Sequence, residues 1–161
     1  MTGASQPEFP PLLPPGRHAM TLPELRKLCV EGFPLSVRHD PLMRSVEALS
    51  TAVSTALIRS EIWVNGSFLT QKMDPQDVDL VVVVPCSLWP GTGQQGHICA
   101  RIARKDFTVP LPCDSYILVK YPVNHQHYPT YELMRAYWIR QFCFNRREEF
   151  KGLAVIRTPI I

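Results

Sequence analysis

Apolar runs and polar breaks along the chain predict most of its elements. Leu42, Val46, Leu49, Val53, Ala56 and Leu57 recur mainly at steps of three and four. That spacing gathers side chains on one face of a helix beginning at Asp40-Pro41. A shorter helix precedes it: Thr21 can cap it, Pro23 falls in its first turn, and LPELRKLCV has helical periodicity. EIWVNG predicts a strand running into a turn at Gly66. From Val78 to Val84 the chain is apolar almost without interruption, which predicts a strand covered on both faces and central to its sheet. Residues 85–97, rich in Pro, Gly and Gln, predict a loop, and His97 to Lys105 a short basic helix. SYILVKY, residues 115–121, predicts another strand with Asp114 at its start. A long helix is predicted from Thr130 to Phe144, with Leu133, Met134, Tyr137, Trp138, Gln141 and Phe142 as its stripe, and GLAVIRT as a last strand. The order of elements predicts an α+β domain, a mixed β-sheet with flanking helices, rather than a regular βαβ array.

Composition narrows the class. The 161 residues suffice for one domain, and 45% hydrophobic with 19% charged residues is ordinary for a globular protein. Five of the 16 prolines fall in residues 1–16, predicting an extended, flexible arm ahead of a single domain over 17–161. No segment reads as a signal peptide, and no apolar run is long enough to span a bilayer. The expected location is the cytoplasm, with no membrane partner. Five scattered cysteines without a CxxC pair fit reduced, mostly buried thiols. A net charge of +3 permits a polyanionic partner without requiring one.

The candidate chemistry lies between Asn65 and Val84, NGSFLTQKMDPQDVDLVVVV. Asp77 and Asp79, two apart on a strand, leave the same face with Cα atoms about 7 Å apart. At about 5 Å and an effective dielectric near 20, two such carboxylates repel by roughly 3 kcal/mol. A divalent cation removes that cost, and Mg²⁺ suits one or two carboxylates, completing its shell with water and substrate phosphates. Ten residues upstream, Gly66 lets the backbone approach a ligand, and Ser67 offers a hydroxyl and a backbone N–H. A helical turn starting there would present free N–H groups to phosphate.

Gly66-Ser67, nine residues, then Asp77-Val78-Asp79 resembles the signature of the nucleotidyltransferase superfamily that includes DNA polymerase β and the minimal bacterial nucleotidyltransferases. The resemblance implies a nucleotidyltransferase-like core binding an NTP. Gly66 and Ser67 would contact the nucleotide phosphates. Asp77 and Asp79 would hold two Mg²⁺ ions, with Asp114 as the third carboxylate, making these three the catalytic set. A narrower resemblance, carried by LPPGRHAMTLPEL, NGSF…DVDL and YWIRQFCFNRREEFKGLAVI, is to an uncharacterised group of minimal bacterial nucleotidyltransferase-like proteins. Phe68 and Leu69 stand where many minimal enzymes have an Arg near phosphate, which makes Lys72 the candidate to meet phosphate charge. The implied activity is transfer of NMP from an NTP to a hydroxyl on a protein side chain, an RNA end or a small molecule. A toxin–antitoxin or phage-defence setting, with a cognate protein partner, follows by analogy. The alternative is a non-catalytic nucleotide-binding or antitoxin-like module on the same fold.

Other patterns carry less. GTGQQG (91–96) matches GxGxxG literally, but CSLWP separates it from the strand and no βαβ series follows. It predicts a loop able to gate the site. His125 and His127, with His97 and Cys99, match no familiar zinc spacing. Basic residues outnumber acidic ones from Arg135 to Arg157, suiting either a solvated face or a seat for RNA.

Overall fold

The computed structural model describes residues 7–160. Five strands form one mixed sheet in the order β1-β5-β2-β3-β4, where β1 is Gly16–Ala19, β2 Ser60–Asn65, β3 Val78–Pro85, β4 Cys113–Lys120 and β5 Gly152–Thr158. The pairs β1/β5 and β3/β4 are parallel, while β2 is antiparallel to both β3 and β5. With helices on both faces, the domain is the α+β type with a mixed sheet that the pattern predicts.

Helices α1 (Leu22–Arg26), α2 (His39–Thr55) and α3 (Gly93–Ala103) cover one face, and α4 (Tyr128–Cys143) covers the other. β3 lies between β2 and β4 and alternates between the two cores. Val78, Leu80, Val82 and Val84 pack with α1–α3, whereas Val81 and Val83 pack with α4. That is why its sequence lacks a polar face.

Local chemistry explains the ends of the helices. Thr21 and Glu24 form a reciprocal capping box at α1. The Ser36 hydroxyl accepts from the His39 N–H at 3.0 Å at the start of α2. α2 buries Leu42, Val46, Leu49 and Val53 as its stripe predicts. Leu57 departs from it: the residue has φ +56, lies past the helix end and is exposed.

Three further expectations need correction. β1 carries no visible strand pattern, because its GRHA is mostly exposed and is held only by backbone pairing to β5. The loop expected over 85–97 is largely structured: α3 starts at Gly93, four residues before His97, with Gly96 packed on the Gly91 backbone. It follows the far end of β3 from Asp77 and Asp79, so it cannot gate that site. α4 begins at Tyr128 and buries Phe142 and Cys143, with Tyr131, Trp138 and Ile139 packed against the sheet. Leu133, Met134 and Tyr137 point outward.

Of the proline-rich arm, residues 1–6 lie outside the described residues. Residues 7–15 run along the domain: Leu12 N–H donates to Leu69 O, Gln71 N–H to Pro10 O, and Gly152 N–H to Leu13 O. Leu12 and Leu13 pack against the larger core.

The five cysteines form no disulfide, and four of them are buried. Among the described residues, no helix is long and apolar enough to cross a membrane.

Candidate functional site

The site forms at one end of the sheet, where β2 finishes and β3, β4 and β5 start. Antiparallel pairing sets Asn65 opposite Asp79, and parallel pairing sets Asp114 beside Asp79. Alternation along β3 then directs Asp77 and Asp79 to the α4 face, the side occupied further along by Val81 and Val83. Both line a cavity of about 880 Å³ together with Gly66, Ser67 and Lys72. Gly66, Ser67, Lys72, Asp77 and Asp79 thus meet around one cavity, whereas Asp114, expected in the same set, is not among its lining residues.

Gly66 is there for a steric reason. Its backbone has φ +88 and ψ −168, a region essentially confined to glycine. A Cβ at this position would collide with the Asp79 carboxylate oxygen. The Asn65 side-chain oxygen accepts from the Gly66 N–H at 2.7 Å, and its amide donates to Phe142 O. Asn65 therefore ties the turn to the end of α4. A 3-10 turn, Ser67–Leu69, follows directly, so the helical turn expected at Ser67 is present.

Burial pushes the Asp79 carboxyl up to about 7, reinforced by the charges of Asp77 and Asp114. Burial also raises Asp77, with Asp114 adding to the effect while Lys72, Arg38 and Lys105 oppose it. Both shifts reflect negative charge gathered out of water without a matching cation. Lys151, at the foot of β5, also lines the cavity. Its ammonium is lowered by burial, against the opposing pull of Glu8 and Asp79.

Asp114 is held differently. Lys105 Nζ lies 2.5 Å from one of its oxygens, and the Tyr116 hydroxyl donates to the other at 3.0 Å. Lys105 follows α3 with φ +59, and its ammonium sits 4.1 Å from the Tyr116 ring centre. The three carboxylates are electrostatic neighbours, since the charges of Asp77 and Asp114 both raise the Asp79 carboxyl. Even so, among the described residues no group of three or more His, Cys, Asp or Glu side chains is arranged to hold a metal ion. Asp114 is instead engaged by Lys105 and Tyr116. Asp77 and Asp79 remain a donor pair that suits Mg²⁺, since each carries a burial and repulsion cost that a divalent cation offsets.

Other cavity residues have no linear signature. Trp138 and Gln141 come from α4, and Arg140 lies alongside, its guanidinium on the Phe144 ring and paired with Glu148 at 2.8 Å. Glu8 and Phe9 come from the arm. Glu8 accepts from the Arg146 N–H at 3.0 Å, and the Lys72 ammonium lies 5.9 Å from the Phe9 ring centre. The proline run hid this wall, because such composition reads as a solvated tail. His125 and His127 cluster instead with Tyr121 in a loop.

No curated protein and no solved structure matches the chain. Over residues 7–157, from the arm to the last strand, it matches a family of unknown function (DUF6932), and it belongs to that family.

Proposed function

We propose that this chain is a Mg²⁺-dependent nucleotidyltransferase that moves NMP from an NTP to a hydroxyl acceptor. The observation carrying this reading is the contact of Gly66 with Asp79, which packs the expected phosphate turn against the expected metal carboxylates on one cavity wall. The cavity's volume of about 880 Å³ suits a nucleotide, since small-ligand sites span roughly 300–1,000 Å³.

In this reading Asp77 and Asp79 hold Mg²⁺, with Asp114 joining them once Lys105 releases it. The bound cation supplies charge neutralisation at the phosphates. The Gly66-Ser67 turn orients the triphosphate, and Lys72 and Lys151, which line the same cavity, balance its charge. The acceptor oxygen forms a bond to the α-phosphorus. The bond from that phosphorus to the bridging oxygen breaks, and pyrophosphate leaves with the electron pair. The hydroxyl proton passes to the Asp114 carboxylate, the base beside the pair once Lys105 has released it. Orientation and electrostatics supply most of the rate in such a transfer.

Nucleotide binding without transfer is the second reading, favoured by the double hold of Lys105 and Tyr116 on Asp114. Incubation with each α-³²P-labelled NTP, Mg²⁺, host lysate and purified RNA separates the two. Transfer predicts label on an acceptor with the wild type and none with Asp77→Asn/Asp79→Asn. NTP binding without labelling sinks the transfer reading and leaves the binding one.

A further inference from the structure

A second concavity, of about 490 Å³, lies at the other end of the sheet on the α4 side. It reaches Glu61 on β2 and Val83 on β3, each four residues from the Asn65–Asp79 pair, or about 13 Å along the strands. Five cations line it: Arg17, Arg59, Lys120, Arg135 and Arg157. Glu61 is the one carboxylate among its lining residues, leaving the groove at +4 when the whole chain carries +3. The excess positive charge of the molecule is therefore concentrated here.

Glu61 is already committed. Its carboxylate pairs with Arg17 at 2.5 Å, lies 3.8 Å from Arg157, and accepts from the Trp63 indole N–H at 3.0 Å. Arg17 also lies over the Trp63 ring, 4.9 Å from its centre. Arg59, Lys120 and Arg135 have no ion pair among the described residues. Tyr131 lines the same groove, with the Tyr128 ring 6.0 Å away at the start of α4.

We propose that this groove binds the phosphate backbone of a single-stranded nucleic acid. Unpaired cations at the entry to β2, the end of β4 and on α4 suit a chain of phosphates better than one small anion. Tyr131, half-buried against the sheet but lining the groove beside those cations, suits unpaired bases, which stack on aromatic faces without regard to sequence. The proposal stands whether or not the other cavity transfers nucleotides.

Fluorescence anisotropy with labelled 12-mer single strands, oligo(U) and oligo(dT), tests it in the intact protein across a salt series. Saturable binding is expected, with log K falling against log salt by about 0.7 per phosphate contact. Arg59→Ala/Arg135→Ala is expected to weaken binding at least tenfold and flatten the slope by about 1.4. Arg44→Ala/Arg104→Ala, an equal charge loss elsewhere, is expected to change neither by more than about twofold. Lys120→Ala alone gives a smaller loss in the same direction and guards against misfolding of the double variant. No binding at 50 mM salt, equal losses in the groove and control variants, or preference for duplex overturns the proposal. So does undiminished oligonucleotide binding in the presence of saturating inorganic tripolyphosphate, because a phosphate ligand must compete there.

Discussion

The Asp79 carboxylate occupies the space that a Gly66 side chain would fill. Turn and strand are thereby locked face to face, and neither residue can change without cost to the other. Gly66→Ala pays twice, for a backbone conformation worth about 1–3 kcal/mol and for the clash. In Gly66→Ala/Asp79→Ala the clash is gone while the backbone strain remains. Urea unfolding of the two single variants and the double variant therefore predicts less loss in the double than the sum of the singles. Strict additivity would show that the contact carries no energy.

The raised Asp79 carboxyl makes metal-free stability fall as pH rises. Its ordinary value is 3.8 and its folded value about 7. Between them the folded state keeps a proton that the unfolded state has lost, so each step up in pH favours unfolding. The full penalty, present above about pH 7 and absent below about pH 4, is roughly 4 kcal/mol. Asp79→Asn removes the titration while keeping the shape. In EDTA it is expected to be more stable than wild type at pH 8, with the difference shrinking toward pH 4. A difference that is constant across this range would mean that Asp79 does not titrate as described.

The same repulsion predicts a response to Mg²⁺. A cation that binds only the folded state stabilises it by mass action, and it competes with the proton on Asp79. Wild type is expected to gain several degrees in Tm from millimolar Mg²⁺ at pH 8 and less at pH 5.5. Asp77→Asn/Asp79→Asn is expected to gain nothing at either pH. Differential scanning fluorimetry reads this directly.

Lys105 and Asp114 are both partly exposed, at 44% and 30% of their side chains, so their pair contributes at most about 1 kcal/mol to stability. Lys105→Ala should leave Tm nearly unchanged while leaving Asp114 held by the Tyr116 hydroxyl alone. If Lys105 restrains the third carboxylate, nucleotide transfer in this variant is equal to or faster than wild type. Asp114→Asn should abolish transfer with NTP binding retained. Loss of activity in Lys105→Ala would instead assign the lysine to substrate.

Much of this arrangement is legible in the sequence, and the reasons differ by element. Two-sided burial of β3 shows as an uninterrupted apolar run, and the period of two places Asp77 and Asp79 on one face. The Gly66-Ser67 turn shows because glycine at a strand end has few other uses. β1 is illegible because its stability lies in backbone pairing with residues 136 positions away. The inward face of α4 is illegible because exposed Leu133, Met134 and Tyr137 compete with Trp138 and Phe142 for the same apolar stripe. Lys105 reaches Asp114 through a left-handed residue after α3, and no local pattern announces that turn. The basic groove is gathered from five separate segments, so only the fold assembles it.

In the proposed function, Asp77 and Asp79 form a cation site completed by a bound nucleotide. Electron paramagnetic resonance of Mn²⁺ tests it most directly, titrating the ion into the protein with a non-hydrolysable NTP analogue. Wild type with analogue is expected to retain Mn²⁺, and Asp77→Asn/Asp79→Asn, folded by circular dichroism, to retain no more than the analogue alone. Equal Mn²⁺ retention by wild type and the double variant would contradict it.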